Sequence, residues 1–147
     1  MAPLITLLVG SLAARLVGWL GIDYLGTWGR ALAVGLSAMF FLTGVAHFAP
    51  PLRRQLIAIV PPTLPAPGLL VSVSGVLELL GATGLLVPAT RATAALCLLA
   101  LMLVMFPANI YAARMPAPPE AMTTRLPLRT AEEILYLAAA VAIAIAG

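Results

Sequence analysis

Between Pro67 and Pro88 the chain reads GLLVSVSGVLELLGATGLLV, an apolar run with one ionisable side chain, Glu78, near its middle. The run is long enough to cross the hydrocarbon core of a bilayer as a helix. Lipid offers no partner to a free backbone N–H or C=O, so a single spanning segment of this kind satisfies its backbone only by coiling into a helix. Four more apolar segments accompany it: residues 3–20, interrupted by Arg15, then 30–49, 91–113 and about 130–147. The 147 residues therefore allow one domain of four or five spans with short connections.

Composition excludes most alternatives. Hydrophobic residues make up 63% and charged residues only 9%, where a soluble domain carries about a quarter charged residues. Mean hydropathy is +1.11. Lysine is absent and all eight cations are arginines, so the net charge of +3 is too thinly spread to bind nucleic acid. Cys97 is the single cysteine, and a disulfide-exchange mechanism needs a resolving thiol that this chain lacks. Ser11-Leu12-Ala13 resembles a signal cleavage site, yet Met1-Ala2-Pro3 supplies no positive region ahead of it. The first segment is accordingly read as a short span, with Arg15 snorkelling towards Gly21. Gly10, Ala14 and Gly18 form a stripe of small residues suited to close helix packing.

Ten of the thirteen prolines fall in two loops, one between the second and third segments and one between the fourth and fifth. With every segment spanning, both loops emerge on the same face. Leu52, Leu56 and Ile59 recur at helical spacing in the first loop, opposite Arg53, Arg54 and Gln55. This pattern predicts a short interfacial helix with its arginines among headgroups. The arginine bias places the proline-rich face in the cytoplasm, with the N-terminus inside and the C-terminus outside.

An acid at mid-membrane depth costs on the order of 2.5–3.5 kcal/mol on insertion scales, and nothing about folding requires it there. Counting rise per residue along alternating spans puts Thr43, His47, Ser74 and Asn109 in the half of the bilayer next to the proline-rich loops, with Glu78 at its floor. Thr43 and His47 lie four residues apart on one helix, as do Ser74 and Glu78 on another. Glu78 is then a proton donor, a counter-ion or an anchor for a small polar ligand. The alternative is a carboxyl locked to His47, Asn109 or a backbone carbonyl as interhelical glue. His47 is either a member of the same site or a hydrogen bonder at a helix end. Metal binding needs more ligands than one histidine, and Glu78, Cys97, Met102 and Met105 form no recognised spacing, so no metal is assigned. Pro107 frees the carbonyl of Leu103, which the Asn109 amide either satisfies or ignores in favour of the cavity. Met102, Met105 and Cys97 read as lipid-facing or core filler. Glu132 and Glu133 read as residues at the start of the last span, where carboxylates suit a helix N-terminus.

A series of short motifs resembles a known family. Gly44-Val45-Ala46-His47-Phe48, Ile59-Val60-Pro61-Pro62-Thr63-Leu64-Pro65 and Ser74-Gly75-Val76-Leu77-Glu78 come first. Leu85-Leu86-Val87-Pro88-Ala89-Thr90-Arg91, Phe106-Pro107-Ala108-Asn109-Ile110-Tyr111 and Arg125-Leu126-Pro127-Leu128-Arg129 follow in order. Together they resemble the DoxX-like integral membrane proteins over about residues 35–140. That resemblance implies an all-α fold, a compact transmembrane four-helix bundle made by segments two to five. The first segment is then one additional N-terminal hydrophobic helix, giving residues 1–29 as helix and connection and 30–147 as the four-helix membrane domain. Arg129 stands where the family more usually carries glutamine.

The resemblance also implies membrane redox work, without a mechanism. The expected function is a redox-associated accessory protein of the bacterial inner (plasma) membrane that binds a small lipophilic ligand at a polar site, with a quinone as the candidate cofactor. Glu78 would hydrogen-bond or protonate the ligand, His47 would relay protons, Asn109 would orient it, and Ser74 and Thr43 would complete the site. Expected partners are the lipid bilayer, subunits of a membrane redox complex and a second copy of the chain, with no nucleic acid. Three other readings are a structural subunit of a larger complex, a proton-coupled small-molecule transporter and, by architecture alone, an enzyme acting on a lipid or sterol.

Overall fold

The computed structural model describes residues 1–146. Those residues form α1 (Ala2–Trp19), α2 (Trp28–Ala46), α3 (Pro50–Ala58), α4 (Pro67–Leu86), α5 (Arg91–Arg114) and α6 (Leu126–Ala146), with 3-10 turns at Asp23–Leu25 and Glu120–Met122. No strand occurs among the described residues. Helices α1, α2, α4 and α5 are long and apolar enough to cross a membrane. At 21 residues, α6 matches them in length, about 30 Å, but carries Arg129, Glu132 and Glu133 in its first half.

The fold is a closed ring of four helices with a fifth against its side. Helix α2 packs on α4, α4 on α5, α5 on α6, and α6 back on α2, whereas α1 leans on α2. Leu36, Phe40, Leu85, Leu98 and Ile143 fill the centre of the ring, each at most 4% exposed. Leu80, Val104 and Ile145 are at least 64% exposed on its outside, as suits side chains whose solvent is lipid.

Small residues set the helix spacing. A Cβ on Gly35 would collide with the Ser11 hydroxyl and the Leu7 backbone of α1, and Gly10 lies against the Gly35 backbone from the other side. Gly18 is closed over by Leu25, so the small-residue stripe of α1 meets both α2 and the turn that follows α1. Arg15 is half-buried, and its guanidinium lies over the rings of Trp19 and Trp28, 5.0 and 5.5 Å from their centroids.

Two expectations are corrected here. Arg53 does not point into headgroups. Its guanidinium turns inward to donate to the carbonyl of His47 (3.0 Å), the carbonyl of Gly68 (3.1 Å) and the hydroxyl of Ser72 (2.9 Å), tying α3 to the end of α2 and the start of α4. Helix α6 begins at Leu126 rather than near residue 130, with Pro127 in its first turn, where no N–H is missed. Glu132 and Glu133 therefore lie well inside the helix and do not cap it.

Candidate functional site

Helix α2 ends where Pro50 forces Ala49 out of helical geometry (ψ 120°). That stop leaves His47 as the C-cap, one turn beyond Thr43 on the same face. Helix α4 starts at Pro67 behind a left-handed Ala66 (φ 49°) and runs back from the same face of the protein. The two helices approach closely because Gly75 has no side chain: a Cβ there would lie 2.6 Å from the Cβ of His47. Glu78 then arrives one turn deeper and is 4% exposed.

At this floor the Thr43 hydroxyl donates to Glu78 Oε2 at 2.5 Å. The ring of His47 places Nδ1 2.8 Å from the carbonyl of Thr43. A carbonyl only accepts, so Nδ1 carries the proton and Nε2 of the neutral ring is an acceptor. Nε2 faces Glu78 Oε1 at 3.8 Å, too far for a hydrogen bond. Two acceptors that face each other across this gap are reconciled by a proton on one of them or by a donor placed between them.

Above the floor is a cavity of about 260 Å³ that opens among the proline-rich loops. Asn109 of α5 lines it, and its Oδ1 accepts from Arg129 Nη1 at 3.1 Å, while Arg129 Nε donates to the Thr124 carbonyl at 2.9 Å. The amide of Asn109 is thus held across to α6. Arg129, Glu132, Glu133 and Tyr136 all line the cavity from α6, at i, i+3, i+4 and i+7 on one helix face. Oε1 of Glu132 and of Glu133 are buried without a hydrogen-bond partner; the Met1 nitrogen is 3.9 Å from Glu132 Oε1. Five of the six methionines contribute to the walls, with Phe40 and Tyr136 among them.

Of the expected site residues, Thr43, His47, Glu78 and Asn109 come together in one cavity. Ser74 does not line it; the serine that finds a partner on α4 is Ser72, through Arg53. Met102 belongs to the buried core and Met105 is half-buried, and both also form cavity wall, whereas Cys97 is exposed on α5 outside the cavity. Arg129, Glu132, Glu133 and Tyr136 were not expected in the site. Their signal was the spacing just given, visible once the helix is started at Leu126. Among the described residues, no three His, Cys, Asp or Glu side chains gather as a metal-binding group.

A family model described as a domain of unknown function (DUF8561) matches residues 36–145. No curated protein and no solved structure matches the chain. The matched stretch begins within α2 and runs to the end of α6, so it takes in the ring and the polar groups of the cavity and leaves out α1. The chain belongs to the DUF8561 family, a domain of unknown function whose match here covers α4, α5, nearly all of α6 and the C-terminal part of α2.

Proposed function

We propose that the protein is a membrane-embedded, redox-associated accessory protein that binds a small lipophilic molecule in the cavity above Glu78. The observation that carries the reading is the placement of an acid and a histidine, 3.8 Å apart, at the bottom of an apolar-walled cavity that opens on one face. Pockets of this kind, mostly apolar with a few convergent polar groups, are where small molecules bind. Glu78 hydrogen-bonds or protonates the head of the ligand, His47 passes protons between that head and the proline-rich face, and Asn109, held by Arg129, orients it.

Support for the redox association comes from the DoxX-like motifs. Four of them each contribute one cavity residue: His47, Glu78, Asn109 and Arg129. A quinone in its quinol form is the ligand class suggested by that resemblance, because its hydroxyls supply donors to a site rich in acceptors. The setting that suits such a ligand is the inner membrane of a bacterium, beside subunits of a redox complex. A short-chain benzoquinol titrated into purified protein is expected to bind, and Glu78→Gln to weaken it about tenfold or more through loss of a charge-assisted hydrogen bond. Equal affinity in wild type and variant would remove Glu78 from the site and with it this mechanism.

A further inference from the structure

Three carboxyls, those of Glu78, Glu132 and Glu133, face the cavity against two cations, the Arg129 guanidinium and the Met1 nitrogen. Arg129 already gives Nη1 to Asn109 and Nε to Thr124, and the Thr43 hydroxyl is committed to Glu78 Oε2. Among the described residues, Oε1 of Glu132 and of Glu133 are buried without a hydrogen bond, and Glu132 has only the Met1 nitrogen at 3.9 Å. At the floor, Glu78 Oε1 and His47 Nε2 belong to residues only 4% exposed and face each other without a hydrogen bond. An acidic cluster alone would say little. Here a buried acceptor pair below it and an apolar chamber around it point to the same missing partner.

Buried acceptors are costly until a donor reaches them, and carboxylates are best served by a positively charged one. The walls suit a cation that carries an apolar body. Phe40 and Tyr136 offer aromatic rings to positive charge. The flexible thioethers of Met39, Met102, Met105 and Met122 adapt to bodies of differing shape.

We propose that the cavity is a binding site for lipophilic amines, whose ammonium head docks on Glu78, Glu132 and Glu133 and whose apolar body lies along the methionine wall. This rests on the reading of the cavity as a ligand site and adds a second ligand class to it. The groups that face these carboxyls are Thr43 and His47 from α2, Asn109 from α5, Arg129 and Tyr136 from α6, and the Met1 nitrogen from the start of α1. Arg53 of α3 stands behind His47, on its carbonyl. An ammonium head therefore gains contacts with the carboxyls that a neutral molecule of the same shape does not.

The test is a binding titration of detergent-solubilised protein with n-octylamine and with n-octanol, which share a body and differ in the head. The amine stays charged between about pH 6 and about pH 8, because alkylammonium groups titrate near pH 10.4. The amine is expected to bind about tenfold or more tighter than the alcohol. Glu133→Gln, which keeps the shape of a side chain whose Oε1 has no partner to lose, is expected to lower amine affinity about tenfold. Alcohol binding equal to or tighter than amine binding would overturn the cation claim and leave the ligand cavity standing. Failure of both probes to bind would overturn the cavity reading as well.

Discussion

Glu78→Leu is expected to make the purified protein more stable while abolishing ligand binding. The two effects have opposite signs because they have different sources. Glu78 is 4% exposed, deep among apolar helices, and among the described residues its carboxyl has one hydrogen bond, from Thr43. Replacing such a group with a leucine of similar size removes a desolvation cost that one hydrogen bond offsets only in part. The gain should be on the order of 1–3 kcal/mol. Thr43 is not orphaned by the change, since its hydroxyl already lies 3.4 Å from the carbonyl of Phe40. If the carboxyl were interhelical glue, the same substitution would instead cost about 1–3 kcal/mol. Chemical or thermal unfolding in detergent gives the sign, and the sign separates the two readings.

Gly35→Leu is expected to lift α1 off the ring. A side chain at this position points at the Ser11 hydroxyl and at backbone atoms of Leu7 and Ser11, and those backbone atoms cannot move without moving α1. Overpacking of this kind costs about 1–3 kcal/mol. Helix α1 has little to set against it, because only Leu7, Ser11 and Ala14 are buried along its length. The ring of α2, α4, α5 and α6 does not depend on that contact and should persist. Spin labels at the exposed positions 12 and 41, in a Cys97→Ser background, measure the outcome. A distance distribution that broadens in the variant is expected; one that stays narrow would mean that α1 is held by something other than this seam.

Much of the architecture was legible because lipid simplifies the problem. An apolar run of spanning length has one economical conformation, and proline-rich loops mark where runs end, so the all-α fold and the extra N-terminal helix followed from the sequence. The meeting of Thr43, His47, Glu78 and Asn109 followed from depth alone. What depth does not give is rotation about the helix axis. Ser74 shares a face with Glu78 by count, yet it does not line the cavity, and the nearby Ser72 is engaged by Arg53. Arg53 itself illustrates a second limit. Amphipathic spacing shows that a side chain is polar and on one face, but not that carbonyls at the ends of two other helices lie within its reach. The acids of α6 were missed for a plainer reason. Starting the helix at the apolar run hid its first turn, and with it the alignment of Arg129, Glu132, Glu133 and Tyr136 on the cavity face.

Native mass spectrometry of gently extracted protein, comparing wild type with Glu78→Leu, tests the central claim most directly. A small molecule retained by the wild type and absent from the more stable variant is the predicted result, and its mass would identify the ligand class. Identical small-molecule content in the two proteins, or a wild type that carries only protein partners, would contradict the assignment of this cavity as a ligand site.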